Sequence, residues 1–287
     1  MHIIEQTDQD FPKQLQHMAD PPAQIYVSGT NLSEILSLPR IAIVGSRKIS
    51  PYGRAVTARF ARELAKLSVV IISGLAFGVD ACAHRAALEA GGRTAAVLAC
   101  GVDRVYPASH HHLAQDMLKQ GGALISEYAP GTIPYKDHFI ARNRIVSTLA
   151  DGVLITEAAQ KSGSLHTARF ALEQGKEVFA VPGNITSETS VGTNMLIRMG
   201  ATPVTELADI LHALDWQSLI TKPKNTPRGN SESEQLVLNL LAEGCHDGAA
   251  LLTRSNLDVS LFNQTLTMLE ITGKVFANGG DHHWSLR

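Results

Sequence analysis

The sequence predicts an α/β protein with a Rossmann-like, doubly wound, mostly parallel sheet and a small C-terminal winged-helix domain. From residue 40 onward, short apolar runs alternate with stretches that carry apolar residues at helical spacing, and each run ends at a polar or glycine-containing turn. Runs that are apolar on both faces are typical of buried parallel strands. Their alternation with helices is typical of βαβ units with right-handed crossovers.

The elements of the core follow from these patterns. The apolar runs predict strands at 25–27, 41–44, 69–72, 94–99, 123–125, 152–155 and 178–181. The helical spacing predicts helices at 54–66, 79–90, 113–119, 139–149 and 164–174. Ligands of open parallel sheets bind beyond the carboxyl ends of the strands, so the turns that follow these strands are the candidate functional region.

The chain is predicted to have four parts. Residues 1–39, which include the turn Asp20-Pro21-Pro22, are expected to form an N-terminal arm that packs on the core. Residues 40–216 form the Rossmann-like domain. Residues 217–232 have low hydrophobicity, two prolines and several polar residues, which is typical of a linker. Residues 233–287 form the winged helix.

The winged-helix prediction depends on three helices followed by a hairpin. The helices are expected at 233–241, 249–253 and 260–272, and the hairpin turn at Asn278-Gly279-Gly280-Asp281. The presumed recognition helix has no Lys or Arg between Ser255 and Gly273. Because phosphate contacts dominate affinity for DNA, this module is not expected to bind DNA strongly on its own. A protein-contact or regulatory role is favoured.

Composition excludes several classes of protein. The sequence has no apolar run of about 18 residues, so no membrane span is expected. The N-terminus lacks the basic and apolar regions of a signal peptide. The cysteines Cys82, Cys100 and Cys245 lack CxxC spacing and are predicted to be reduced core thiols. A cytoplasmic protein is therefore expected.

The net charge of −2 conceals an uneven distribution. Residues 40–176 carry 17 Lys and Arg against 10 Asp and Glu, whereas residues 1–39 carry 1 against 5 and residues 230–287 carry 3 against 7. A basic centre between acidic ends suits a polyanion site on the central domain. The same distribution also fits solvated charge scattered over the surface.

Two turns of the core have the features of anion sites. Gly45-Ser46-Arg47-Lys48 and Lys161-Ser162-Gly163-Ser164 each lie between a predicted strand and a predicted helix, where backbone N–H groups and the helix dipole favour an anion. One of the two serines in the second turn is predicted to be an N-cap. Neither turn has the GxGxxG or GKS/GKT pattern, so a dinucleotide site or ATP hydrolysis is not predicted.

A third candidate segment runs from Lys136 to Arg144. Arg142 and Arg144 point to different sides of one helix, so both serve one site only near the helix start. Phe139 can either stack on a nucleobase, worth about 1–3 kcal/mol, or anchor the helix in the core. The consecutive histidines His110-His111-His112 and His282-His283 are interpreted as surface residues because they lack the spacing of a metal site. No metal and no cofactor is predicted.

Several segments occur in the same order as in one known family. They are Asp20-Pro21-Pro22, Ile25-Tyr26-Val27-Ser28-Gly29, Val44-Gly45-Ser46-Arg47, Ser73-Gly74-Leu75-Ala76-Phe77-Gly78-Val79-Asp80-Ala81-Cys82-Ala83-His84, Tyr106-Pro107, Ser126-Glu127-Tyr128, Arg142-Asn143-Arg144, Lys161-Ser162-Gly163-Ser164 and Val181-Pro182-Gly183. Together they closely resemble the DprA (Smf) family of DNA-processing proteins over residues 10–215. The C-terminal winged helix fits that family too.

The resemblance implies a non-enzymatic protein with a Rossmann-like core that forms a homodimer, binds single-stranded DNA and loads RecA during natural transformation. It implies DNA contacts from the turn at Ser46 and Arg47 and from Lys136 and Phe139. Many family members have an N-terminal helical domain, which is expected to be absent from this chain or removed. The complete set of candidate DNA-binding residues is Gly45, Ser46, Arg47, Lys48, Lys136, Phe139, Arg142, Asn143, Arg144, Lys161, Ser162, Gly163 and Ser164.

Two other functions stay open at this point. A Rossmann-type nucleotide-binding hydrolase would need a catalytic carboxylate that faces the pocket, and Glu127 and Glu157 are the candidates. A passive adaptor would bind RecA without binding DNA. The leading hypothesis is a protein that protects incoming single-stranded DNA and loads RecA.

Overall fold

The central sheet has the predicted strands and extends them at both edges. The computed structural model describes residues 1–220, 229–242, 245–277 and 284–286. The strands of this sheet are β1 (His2–Glu5), β2 (Gln24–Gly29), β3 (Arg40–Val44), β4 (Val70–Ser73), β5 (Thr94–Val97), β6 (Ala123–Ser126), β7 (Gly152–Ile155), β8 (Glu177–Ala180) and β9 (Thr202–Pro203). Across the described residues their order is β1-β2-β6-β5-β4-β3-β7-β8-β9.

Most neighbouring strands of this sheet are parallel. The pairs from β6 through β5, β4, β3, β7 and β8 to β9 are all parallel, while β2 is antiparallel to both β1 and β6. Strands β3 to β7 are buried at every position, as expected for a sheet covered by helices on both faces. The Rossmann-like, mostly parallel fold class is therefore confirmed.

Five helices of this unit begin and end within three residues of their predicted positions, and four more were not predicted. They are α1 (Lys13–Gln16), α2 (Leu32–Leu36), α3 (Pro51–Lys66), α4 (Val79–Glu89), α5 (His111–Lys119), α6 (Lys136–Leu149), α7 (Ser164–Glu173), α8 (Val191–Arg198) and α9 (Leu207–Ala213). Ser50 caps α3 by accepting from the Gly53 N–H at 3.0 Å, and Pro51 occupies the first helical position. Helix α6 starts at Lys136, three residues earlier than predicted. The apolar pattern does not detect this start because Lys136-Asp137-His138 are polar.

The N-terminal arm forms part of the sheet. Its strands β1 and β2 extend the edge at β6, and its side chains Ile4, Phe11, Leu15 and Val27 share one hydrophobic cluster with Val44 of the core. Contacts accordingly place the arm and the core in one compact unit, Met1–Trp216.

The strand order contains a topological switch point. From β3 the chain proceeds through β4 and β5 to β6 on one side, and β7 then pairs with the opposite side of β3. At such a point the connections leave in opposite directions and open a crevice at the carboxyl ends of the two strands. The turns after β3 and β7 are the two turns that the sequence predicts to bind an anion.

The second compact unit is Gln217–Arg287. It contains α10 (Glu232–Ala242), α11 (Gly248–Ser255), α12 (Val259–Ile271) and the antiparallel pair β10 (Val275–Ala277) and β11 (Trp284–Leu286), in the order of a winged helix. Its core is formed by residues such as Val237, Leu251, Phe262 and Leu269. Half of the predicted linker, together with the hairpin turn and His282-His283, lies outside the described residues.

Two further features of the described residues concern chemistry. Cys82, Cys100 and Cys245 are all buried and free, as predicted. In the described part of the chain, no helix combines the length and the apolar character needed to cross a membrane.

Candidate functional site

A cleft with a volume of about 720 Å³ opens at the switch point. It is bordered by the turn after β3, the turn after β7 and the first turns of α6. Every candidate residue except Arg144 lines it. The lining residues that the sequence predicted are Gly45, Ser46, Arg47, Lys48, Lys136, Phe139, Arg142, Asn143, Lys161, Ser162, Gly163 and Ser164.

The turn after β3 is held in shape by backbone and hydroxyl contacts. The Ser46 N–H donates to the Glu157 carbonyl at 2.7 Å, and the Ser46 hydroxyl accepts from the Lys48 N–H at 3.1 Å and donates to the Lys48 carbonyl at 2.9 Å. A Cβ on Gly45 would lie 2.6 Å from the Glu157 carbonyl, so this position requires glycine. The turn leaves the side chains of Arg47 and Lys48 exposed.

The turn after β7 presents Lys161 and the start of α7. Lys161 and Gly163 are exposed, and the hydroxyls of Ser162 and Ser164 lie 2.8 Å apart. The N-cap position is Gly163, so the prediction that a serine occupies it is wrong. The backbone places Ser164 inside the helix, while the Ser162 hydroxyl accepts from the Ser164 N–H at 3.4 Å.

Helix α6 supplies one face to the cleft. Lys136, Phe139 and Asn143 recur at helical spacing and therefore share that face. Asn143 donates to the Gly163 carbonyl at 3.4 Å, which links α6 to the turn after β7. The Phe139 ring is half-buried and lies 5.1 Å from the Arg47 guanidinium carbon.

Arg142 lies at the buried base of the cleft and bonds mainly to protein atoms. Its Nη1 donates to the Gly74 carbonyl at 2.7 Å and to the Val97 carbonyl. Burial lowers the pKa of Arg142, an effect that the nearby Asp80 carboxylate opposes. Burial likewise raises the pKa of Asp80, and Arg142 opposes that shift. The guanidinium therefore supports the floor of the cleft.

Arg144 lies apart from the other candidates. Its guanidinium pairs with Glu127 at 2.6 Å and with Asp20 at 3.4 Å. Because α6 starts at Lys136, both Arg142 and Arg144 lie beyond its first turn, and their spacing of two residues directs them to different sides. The structure thus does not bring Arg144 together with the cleft.

His110 corrects the interpretation of the histidine run. It is buried, with 4% of its surface exposed, and its Nδ1 lies 2.9 Å from the Leu75 carbonyl. The neighbouring His111 and His112 are exposed, as predicted. Among the described residues no cluster of His, Cys, Asp and Glu could hold a metal ion.

The accessible charges at the cleft are mostly positive. Arg47, Lys48, Lys136 and Lys161 are exposed, and within the described ranges none of them forms an ion pair. Glu188, which sequence reasoning missed, adds one exposed carboxylate at the rim. Its position shortly after β8, at the same sheet edge, is the signal that identifies it.

Comparison with known proteins assigns the chain to a family. A family model described as DNA recombination-mediator protein A matches residues 2–215. The chain belongs to this family. The DprA (Smf) resemblance of the sequence is thereby confirmed.

Relatives of the recombination-mediator family share much of the chain. Protein Smf of Escherichia coli is 45% identical over 215 residues, which cover 75% of this chain and 57% of that protein. DNA processing protein DprA of Streptococcus pneumoniae is 42% identical over 209 residues, or 73% of each chain.

Solved structures of this family share the fold. The X-ray structure of DprA from Streptococcus pneumoniae aligns with a TM-score of 0.68 at 39% identity, covering 74% of this chain and 73% of that one. A structure of DNA processing protein A from Helicobacter pylori, described by its single-stranded DNA binding mode, aligns with a TM-score of 0.65 at 37% identity, covering 71% of this chain and 92% of that one.

In this member of the recombination-mediator family, the candidate catalytic carboxylates do not line the cleft. Glu157 is 1% exposed and accepts from the Ser50 N–H at 2.9 Å, which places it behind the turn after β3. Glu127 is paired with Arg144. Neither carboxylate lies where a substrate in the cleft would meet it.

Proposed function

We propose that this protein binds single-stranded DNA in the cleft at the switch point and acts without catalysing a reaction. The observation that carries the proposal is the convergence of four exposed cations, Arg47, Lys48, Lys136 and Lys161, on one cleft without competing ion pairs in the described part of the chain. Such cations attract phosphates and release counterions from DNA.

The backbone adds to this attraction. The turn after β7 leads directly into α7, and residues Ser162, Gly163 and Ser164 at the start of this helix line the cleft. The positive end of the helix dipole therefore lies at the cleft and favours a phosphate. The half-buried Phe139 beside Arg47 provides apolar surface for a base, which favours an unpaired strand over a duplex.

Membership of the family supports a wider role. We propose that the protein protects incoming DNA and loads RecA recombinase on it during natural transformation, and that it works as a cytoplasmic homodimer. The family description as a recombination mediator and the relative described by single-stranded DNA binding support this role. RecA filament growth on oligo-dT coated with a single-strand-binding protein should speed up when this protein is added. Unchanged growth would exclude loading.

The DNA-binding proposal is tested by fluorescence anisotropy with labelled oligo-dT and a duplex of equal length. Oligo-dT is expected to bind more tightly than the duplex. Arg47→Ala removes one phosphate-binding cation and should weaken oligo-dT binding, while Arg85→Ala removes an exposed arginine that does not line the cleft and should leave it unchanged. Equal affinity of all three proteins would exclude the cleft as the binding site.

The hydrolase alternative loses its candidate catalytic groups, because Glu127 and Glu157 are occupied elsewhere. We expect no product when the protein is incubated with a panel of nucleoside mono- and triphosphates. Turnover that disappears with Arg47→Ala would instead support a nucleotide-hydrolysing site in this cleft.

A further inference from the structure

Three aromatic side chains form a strip beside the cleft. We define the aromatic strip as Phe77 in the loop after β4, Tyr106 in the loop after β5, and Phe139 on α6. Phe77 is 50% exposed and Tyr106 is 47% exposed, whereas Phe139 is half-buried. Only 5% of the sequence is aromatic, so exposed rings beside a basic cleft stand out from the rest of the chain.

The ring of Phe139 is partly covered by two neighbouring side chains. The Arg47 guanidinium lies 5.1 Å from its centre, and the Tyr106 ring centre lies 5.5 Å away at an interplanar angle of 58°. Phe139 therefore supports both an arginine of the cleft and an exposed tyrosine. The accessible ring surface of this group belongs mainly to Tyr106.

Phe77 is held by the loop that carries Tyr106. Its ring packs edge-on against His110, with 5.0 Å between ring centres and an interplanar angle of 69°. His110 belongs to the short 3₁₀ helix Ala108–His110, which follows Tyr106 and Pro107, and it is fixed by its contact with the Leu75 carbonyl. Phe77 thus packs on a buried histidine, whereas Tyr106 packs on the half-buried ring of Phe139.

The strand order gives the strip a direction. Neighbouring strands of a sheet lie about 4.8 Å apart, and β3, β4 and β5 are neighbours in this order. The loops that follow β3, β4 and β5 therefore lie side by side along the carboxyl edge of the sheet. The cleft lies at the β3 end of this row. A strand of DNA that leaves the cleft on this side meets Phe77 and Tyr106 next.

We propose that Tyr106 and Phe77 are base-stacking platforms for nucleotides that extend beyond the cleft, and that Phe139 positions Arg47 and Tyr106 from behind. This inference rests on the proposed binding of single-stranded DNA and assigns the path of the strand. Stacking on a ring face accepts any base, so the path requires no particular sequence.

The test measures anisotropy of labelled oligo-dT of roughly 4 and roughly 16 nucleotides with Tyr106→Leu and Phe77→Leu. Each variant should bind the longer oligonucleotide at least about 5-fold more weakly and the shorter one nearly unchanged. Tyr106→Phe keeps the ring and should bind normally. Phe276→Leu, which replaces an exposed aromatic residue of the second unit, is the matched control.

An abasic oligonucleotide of the longer length separates stacking from phosphate contact. It keeps the phosphates and lacks the bases, so wild type and both leucine variants should bind it equally. Normal binding of long oligo-dT by the leucine variants would refute the strip while leaving the cleft intact. If the wild-type protein binds no oligo-dT of either length, the proposed function is wrong and the inference falls with it.

Discussion

The buried residues Arg142 and Asp80 both bond to the loop at the base of the cleft. Asp80 Oδ2 accepts from the Gly74 N–H at 3.1 Å and the Ala76 N–H at 3.3 Å, while Arg142 donates to the Gly74 carbonyl. The two side chains together fix the loop after β4. Arg142 also lines the cleft, so its charge contributes to the potential there.

Replacement of this arginine should destabilise the protein. Arg142→Met leaves the Asp80 carboxylate buried without its cation, which typically costs about 3–5 kcal/mol in the free energy of unfolding. Asp80→Asn in the same chain removes the unpaired charge and should recover part of the loss. Urea unfolding of the single and double variants measures the coupling. Strictly additive losses would show that the two side chains do not interact.

A buried histidine makes stability depend on pH. The Thr94 hydroxyl donates to the Ile71 carbonyl at 2.6 Å, so its oxygen accepts from His84 Nδ1 at 2.6 Å. Among the described residues, His84 Nε2 is buried without a hydrogen-bond partner. Burial, reinforced by the charges of His110 and Arg142, lowers the pKa of His84 from 6.5 to about 3.

The direction of the pH effect follows from this lowered pKa. Between pH 6.5 and about 3 the unfolded chain binds a proton at His84 that the folded protein does not. The contribution of neutral His84 to the free energy of unfolding is therefore fully present above pH 6.5. It is lost as the pH falls through this window, by up to about 1.4 kcal/mol per pH unit. His84→Gln should show a shallower loss in urea unfolding measured at several pH values. Parallel curves for the two proteins would contradict this assignment.

At the scale of elements, the loop after β4 is hydrogen-bonded to the turn after β3. The Val79 N–H donates to the Ser46 carbonyl at 3.1 Å. Gly78 has a φ of +78°, and a Cβ added there would lie 2.1 Å from that carbonyl. The start of α4 thus sets the position of Ser46 and Arg47.

Substitution at this contact should impair binding without removing a charge. Gly78→Ala forces the turn that carries Arg47 to shift, and the strained backbone costs of order 1–3 kcal/mol. Gly175→Ala is the matched control, because Gly175 also has a positive φ but no atom within 4 Å of its added Cβ. Oligo-dT affinity should fall for the first variant only. An equal fall in both would assign the effect to general destabilisation.

Elements whose signal is local were predictable from the sequence. The buried strands β3 to β8 appear as apolar runs, but β1 has a single buried residue, Ile4, and β9 has two residues, so neither has a pattern to detect. The cleft was predictable because its two anion-site turns each join an apolar strand to a helix, which places both at the carboxyl edge of the sheet. The partners of Arg144, by contrast, are distant in sequence, and no local pattern encodes its pairing with Glu127 and Asp20.

At the scale of the molecule, the two units differ in their balance of basic and acidic residues. The basic segment 40–176 contains all four exposed cations of the cleft, whereas residues 230–287 carry 3 basic against 7 acidic residues. Helix α12 has no Lys or Arg. An element without cations gains little from counterion release, so we expect the first unit to provide the affinity for DNA.

The dependence of oligo-dT affinity on salt tests this account most directly. For single strands the slope of log K against log salt is about −0.7 for each phosphate neutralised, so four cations predict a slope of about −3. The double variant Arg47→Ala/Lys161→Ala should flatten the slope by about half. A wild-type slope near zero, or an unchanged slope in the double variant, would contradict the claim that the cleft cations hold the DNA backbone.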